Sequence, residues 1–326
     1  MSVSTVTAPR WSRLRLRQSA HLRDLCAETS FTTAHLVQPL FVVEDIDAPQ
    51  PIAGLDGNER LPLAAALDRM AADVDQSVRH FLLFAVPSAK GPGGRGTFTG
   101  RVVDAIKKRF AERICLWVDT CLCSSTDDGH CAIHAAGRID LPATLEALSQ
   151  IAIRAADAGA DGISPSDMMD GRTAFLRNAL DGRGYGSVPI MSYSTKFASH
   201  FYGPFRDAAG SAPKHGSRAH YQIDVRSRTD ALQSSMRCAS EGADLLMVKP
   251  GLTSLDLISP IRELTSLPVG AYQVSGEYAS LCALGRDGLA NFDAALLETW
   301  HVFRRAGASY LITYGARRAL SLGVPA

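Results

Sequence analysis

The sequence predicts an α/β chain folded as a (β/α)8 TIM barrel with an N-terminal extension arm. Three observations carry that prediction. Eight short apolar, β-branched runs recur along the chain, and longer segments of helical periodicity separate them. Glycine stop signals close several of those segments just before the next apolar run. A doubly wound open sheet would alternate in the same way, so the count of eight is what favours the barrel.

The apolar runs lie at Leu36–Val43, His80–Val86, 114–121, 160–165, 188–193, 244–249, 269–274 and 310–314. Most are nearly continuous in hydrophobicity, as parallel strands buried on both faces must be. Helical stretches fall at 61–78, 101–112, 142–158, 226–241 and 292–306. The segment 142–158 places Leu145, Leu148, Ala152 and Ala155 along one face, which fits a helix laid on a sheet. Gly159, Gly242 and Gly307 each follow a helical stretch and can take the left-handed turn that sends the chain back into the sheet. Residues 1–34 precede the repeat and carry Trp11 and five of the arginines, a composition suited to an arm packed on a neighbouring subunit. Residues 35–326 form the catalytic barrel.

Composition narrows the function. With 46% hydrophobic and 21% charged residues, the 326-residue chain is an ordinary globular one. Its 34 basic and 33 acidic side chains leave a net charge of +1, which gives no electrostatic case for nucleic acid or an anionic membrane. No run of 18 apolar residues occurs, and no apolar segment follows the N-terminal arginines as a secretory signal would require. Seven cysteines, an odd number in a long chain, make a disulfide framework a poor reading. A cytoplasmic enzyme is expected.

The unusual residues collect at the C-terminal ends of the strands, where a TIM barrel keeps its chemistry. The chain has only six lysines, and two of them fall there. Lys249 ends the apolar run Leu245-Leu246-Met247-Val248, and Lys196 follows another. An amine desolvated in that position loses basicity and can attack a carbonyl, and two neighbouring amines depress one another further. The competing reading is a structural lysine paired to a carboxylate such as Asp119 or Asp167. Cys121, Cys123 and Cys131 offer three thiolates, the number that a catalytic zinc takes while keeping one position open. The plainer reading is three reduced bystander thiols. Arg206 and Arg218 lie on a long connection after the fifth strand, where a lid could clamp a carboxylate. Solvated loop charges are the alternative. Gly91-Pro92-Gly93-Gly94-Arg95-Gly96 fits a dinucleotide fingerprint by spelling, but Thr97-Phe98-Thr99-Gly100 stands where the helix should open, so a surface loop is the better reading.

These motifs together resemble the porphobilinogen synthase (5-aminolaevulinate dehydratase) family from about Arg13 onward. The matching stretches include 119–133, 165–172, 191–199, 201–209, 247–251 and 271–279. The resemblance implies a zinc-dependent hydro-lyase of tetrapyrrole biosynthesis, typically a homo-octamer. It would condense two 5-aminolaevulinate molecules to porphobilinogen with loss of two waters. It also implies that Lys249 and Lys196 form Schiff bases with the two substrates and that Cys121, Cys123 and Cys131 hold Zn2+. Arg206, Arg218 and Gln222 would cover the second substrate, and Ser275 and Tyr314 would hold the carboxylate of the first.

Several positions depart from the family pattern. Gly315 replaces an aromatic, Ser254 a tyrosine and Ala219 a basic residue, and the glycine-rich 89–97 segment replaces an Asn-Pro loop. These changes are expected to enlarge or soften the pocket. They would also fit a specialised-pathway relative that condenses a different amino ketone by the same lysine and zinc chemistry. A barrel that has lost catalysis is disfavoured, because both lysines and all three cysteines are kept. Ser234 stands where many bacterial relatives carry a glutamate that supports an activating magnesium, so no such ion is expected.

Overall fold

The computed structural model describes residues 14–90 and 95–326. Met1–Ser30 and Phe31–Ala326 form two separate compact units. In the first, the turn Leu14–Arg17 precedes a six-residue helix, Ala20–Leu25, whose Ser19 cap accepts from the Leu22 amide at 3.2 Å. No described side chain of that helix is buried. The division falls four residues before the expected end of the arm. Phe31 is buried with its ring edge-on to Trp300 at 6.1 Å, and the Thr33 amide donates to Pro325 O, so these residues pack with the barrel.

In the second unit eight parallel strands form the barrel: β1 Leu36–Val43, β2 His80–Val86, β3 Cys115–Thr120, β4 Gly162–Pro165, β5 Met191–Lys196, β6 Leu245–Lys249, β7 Val269–Tyr272 and β8 Tyr310–Ile312. They lie in the order β4-β3-β2-β1-β8-β7-β6-β5, and a parallel bridge between Ile163 and Ile190 nearly closes the circle. The helices are α1 Leu63–Asp75, α2 Arg95–Phe110, α3 Leu141–Asp157, α4 Arg172–Asp181, α5 Arg228–Ser240, α6 Leu255–Thr265, α7 Ser275–Arg286 and α8 Phe292–Arg305. The fold is the (β/α)8 barrel that the eight runs predict.

The local signals work as expected in most places. Leu148, Ala152 and Ala155 of α3 are fully buried, with Leu145 at the margin of the stripe. Gly159, Gly242 and Gly307 have φ of +91°, +92° and +100°, a backbone region that a side chain would strain.

Two expectations need correction. The fifth strand starts at Met191, not at Val188, whose amide instead closes a turn onto Tyr185 O at 3.1 Å. Lys196 is therefore the last residue of β5 and not a residue beyond it. Residues 97–100 do not interrupt a helix but lie within the first turns of α2. Gly91-Pro92-Gly93-Gly94 fall outside the described residues.

An aromatic arc follows the strand order inside the second unit. Tyr193 of β5 meets Tyr272 of β7 at 6.2 Å, Tyr272 meets Tyr314 at 6.2 Å, Tyr314 stacks with Phe41 of β1 at 6.4 Å, and Phe41 stacks with Phe84 of β2 at 5.1 Å. Four of these five rings are almost wholly buried, so the arc fixes a rigid wall beside the strand ends.

Candidate active site

Lys249 projects among those rings. Its Nζ lies 4.1 Å from the ring centre of Tyr272, 4.9 Å from Tyr193, 5.0 Å from Phe205 and 5.4 Å from Tyr202. The β5–β6 register sets Lys249 directly beside Lys196. Burial pushes the Lys249 amine well below its ordinary basicity, and the Lys196 charge pushes it further, against a smaller opposing pull from Asp119. Lys196, also buried, donates to Ser166 O and lies 5.6 Å from the Tyr193 ring. Burial raises Asp119 to about 6 despite Ser166 and the two lysines, and its Oδ1 has no hydrogen-bond partner among the described residues. The expected structural alternative for the lysines fails on geometry: neither makes an ion pair with Asp119 or Asp167 within 4.0 Å. Asp167 instead faces Arg172, 3.7 Å away.

The chain leaving β3 carries Cys121, Cys123 and Cys131, all buried, with their Sγ atoms within 4.8 Å of one another. Cys121 and Cys123 are 3.4 Å apart. Three Zn–S bonds of about 2.3 Å in tetrahedral geometry would hold the sulfurs about 3.8 Å apart, so the trio fits a zinc ion with little movement. Bonds from Cys121 and Cys123 draw the Cys131 thiol well below its usual value, in spite of burial. The bond with Cys121 lowers Cys123, but Cys131 and burial outweigh it and bring Cys123 to about 11. Tyr221 Oη accepts from the Cys131 amide at 3.2 Å and steadies the loop. A narrow cavity between this loop and the strand ends is lined by Asp119, Cys121, Cys123, Phe84 and Phe205.

The connection after β5 folds over this region. Its short helix Gly203–Ala208 sets Phe205 against Phe84 at 5.0 Å and over Lys249. Arg206, on the same helix, is half-buried, and its Nε has no partner among the described residues. Burial and then Arg218 lower its basicity. Arg218 is buried and donates to Gly129 O at 2.8 Å and to Ser211 O, which joins the connection to the cysteine loop. Gln222 is buried with neither amide atom paired among the described residues. Such a group costs about 1–3 kcal/mol unless a ligand or water satisfies it. Ser275 Oγ accepts from the Phe205 amide at 3.1 Å and donates to Phe201 O at 3.3 Å. Tyr314 places its hydroxyl 3.4 Å from that of Tyr272.

Two supporting residues escaped the sequence reading. Glu277, buried on α7, accepts from the amides of Val274 and Leu252 at 2.7 Å and of Gly251 at 3.3 Å. It thereby ties the turn after Lys249 to the end of β7. An acidic residue three positions after the end of an apolar run was the available signal. Asn58 donates to Tyr314 O at 3.2 Å and accepts from Gln38, a link across more than 250 positions that no local pattern announces.

The expected widening at Gly315 is not found. A Cβ there would lie 2.7 Å from Leu296 Cδ2, 3.1 Å from Trp300 and 3.3 Å from Tyr278. The space that an aromatic would need is filled by the core.

The delta-aminolevulinic acid dehydratase family model matches residues 11–322. The delta-aminolevulinic acid dehydratase of Helicobacter pylori is 40% identical over 314 residues, which cover 94% of this chain and 97% of that one. The Bacillus subtilis protein of the same name is 37% identical over 310 residues, covering 94% and 95%. Among solved structures, the Toxoplasma gondii delta-aminolevulinic acid dehydratase in complex with the reaction product porphobilinogen has a TM-score of 0.91 at 36% identity. It covers 97% of this chain and 92% of its own. Over nearly its whole length, then, the chain belongs to the delta-aminolevulinic acid dehydratase family.

Proposed function

We propose that the chain condenses two 5-aminolaevulinate molecules into porphobilinogen, with loss of two waters, as a zinc-dependent porphobilinogen synthase. The observation that carries the reading is Lys249, an amine stripped of solvent, walled by four rings and set in register with a second lysine.

The unprotonated Lys249 attacks the ketone of the first substrate, and loss of water leaves an iminium bound to the barrel. Lys196 tethers the second substrate in the same way. The iminium draws electrons better than a ketone does, and two tethered substrates meet at high effective concentration. Asp119, at about 6, exchanges protons near neutral pH and stands where the amines must gain and lose them. Arg206, Arg218 and Gln222 bind the second substrate, the two arginines clamping its carboxylate and Gln222 finding its missing partners there. Ser275 and Tyr314 hold the carboxylate of the first. Zinc on Cys121, Cys123 and Cys131 would supply Lewis-acid polarisation on the side of the second substrate.

The filled space at Gly315 removes one of the changes that would have suited a relative condensing a different amino ketone. An arm that ends at Ser30 and packs on a neighbouring subunit would suit a homo-octamer. Among the described residues no helix is long and apolar enough to cross a membrane, in keeping with a cytoplasmic enzyme. Incubation with 5-aminolaevulinate and zinc should yield a pyrrole. Turnover of a related amino ketone alone would move the assignment to a specialised relative.

A further inference from the structure

Lys196 and Lys249 both turn toward the Tyr193 ring inside the barrel, although the alternation of a regular ladder would separate them. Leu246 of β6 pairs with Ser192 of β5, and Val248 pairs with Thr195. Met247 alone therefore stands opposite two residues, Tyr193 and Ser194, the two-against-one count of a β-bulge. The side chains show the same break. Tyr193 joins the aromatic arc inside the barrel. Ser194 and Thr195 are consecutive, yet both hydroxyls lie 2.9 Å from Ser235 Oγ of α5, on the outer side. Carried on regularly from Ser192, the ladder would set Thr195 opposite Lys249. Lys196 would then point at the helix layer, because successive side chains of a strand take opposite faces. One extra residue reverses this and brings Lys196 in beside Lys249.

The bulge is held from behind. Ser234 Oγ of α5 donates to Ser194 O at 2.7 Å, and Arg172 Nη2 of α4 donates to Tyr193 O at 2.9 Å. Ser194 Oγ donates across to Met247 O at 3.4 Å, and Thr195 Oγ1 donates to Ala231 O at 3.0 Å. All five of these side chains, with Ser235, lie buried between the sheet and the helices, out of reach of any substrate. A buried carbonyl that loses its donor is costly, so these bonds favour the bulged strand over a regular one.

We propose that Arg172, Ser234 and Ser235 are positioning residues, which hold the bulge and thereby turn Lys196 inward for the second imine. The catalytic consequence rests on reading Lys196 as the tether of the second substrate, whereas the direction of its side chain does not.

Two reductive traps on the zinc-loaded full-length protein separate these claims. Formaldehyde with borohydride methylates accessible amines whatever the protein's own reaction, and 5-aminolaevulinate with borohydride reads that reaction. Mass spectrometry gives the adduct at Lys196 relative to that at Lys249. In Ser234→Ala/Ser235→Ala the ratio should fall about tenfold with both reagents, the weight of one or two lost buried hydrogen bonds. The value of kcat should fall with it while zinc content stays at the wild-type level. Ser234→Thr keeps the hydroxyl and should keep the wild-type ratio. Deleting Ser194 from the double variant leaves Ser192, Tyr193, Thr195 and Lys196 to alternate regularly, with Lys196 again opposite Lys249, and should restore the ratio. Ser234→Ala alone gives the same comparison should the double variant fail to fold. An unchanged ratio in the alanine variants, or equal loss at both lysines, would overturn the positioning role, and so would a deletion that deepens the loss. A formaldehyde ratio that falls in the variant, with no 5-aminolaevulinate adduct on Lys196 even in the wild type, would uphold the bulge and overturn the second imine.

Discussion

Replacing Lys249 by methionine removes the amine at nearly constant side-chain volume, and the sign of its effect on stability tests the state of that amine. In the unfolded chain the lysine titrates near its ordinary 10.5, whereas burial beside Lys196 holds it well below that in the folded chain. Between the two values only the unfolded chain is protonated. It binds more protons there, so stability rises with pH by about 1.4 kcal/mol per pH unit. The penalty is absent above the unfolded value, grows as pH falls, and is complete once the folded amine also protonates. Methionine carries no such penalty. Lys249→Met should therefore be more stable than the wild type at pH 7, and the advantage should shrink by up to about 1.4 kcal/mol per pH unit on the way to pH 10.5, where it vanishes. A lysine that stayed charged would give the opposite sign. It would lose its attraction to the four surrounding rings, worth about 0.5–2 kcal/mol. Unfolding by urea or heat, at fixed protein and zinc concentrations and at several pH values, separates the two. A variant less stable than the wild type at pH 7 would refute a neutral Lys249.

Borohydride added with 5-aminolaevulinate should place a stable adduct on the peptide containing Lys249. Lys196→Arg should still trap substrate there yet form no product, whereas Lys249→Arg should trap none at this position, since guanidinium stays protonated. Cys123→Ala should lose zinc and activity while its circular dichroism and melting stay near those of the wild type, because a catalytic metal does not hold the fold together; a collapsed barrel would show the site to be structural. Millimolar magnesium should change the rate of the zinc-loaded enzyme little, because Ser234 is turned inward onto Ser194 O at 2.7 Å and Asp170 is held by Arg237 at 2.6 Å. A several-fold rise would overturn that. Glu277→Ala strips the acceptors from three amides at about 1–3 kcal/mol for each left buried and unpaired. It should lower kcat more than KM, with partial recovery in Glu277→Gln, and unchanged kinetics would remove Glu277 from the positioning role.

What the sequence made legible was local. The run before Lys249 already placed an amine inside an apolar strand, and three cysteines within eleven residues announced a cluster. The glycines with positive φ were readable for the same reason: a helix stop is written in adjacent residues. The start of β5 was misplaced because Val188-Pro189-Ile190 is apolar whether or not it pairs, and proline has no amide to donate to the ladder. The pocket wall was out of reach for a different reason. Whether Gly315 opens space depends on Leu296, Trp300 and Tyr278, residues that meet it only once the barrel closes. Likewise the cover on Lys249 comes from Phe205, some forty positions away, and no periodicity links the two.

The same distant contacts distinguish two otherwise equivalent lysines. Both end neighbouring parallel strands and both are buried, so sequence and strand geometry treat them alike. Their surroundings differ. Lys196 donates to a backbone carbonyl at Ser166. Lys249 has four ring faces and no hydrogen-bond acceptor among the described residues, so desolvation dominates and the neutral, nucleophilic form gains. On this ground the first imine should form at Lys249. The connection after β5 supplies one of those rings through Phe205, and Ser275 Oγ accepts from the Phe205 amide. Phe205 thereby links Ser275 to the surroundings of the Lys249 amine. Removing that ring would rehydrate Lys249 and favour its protonated form.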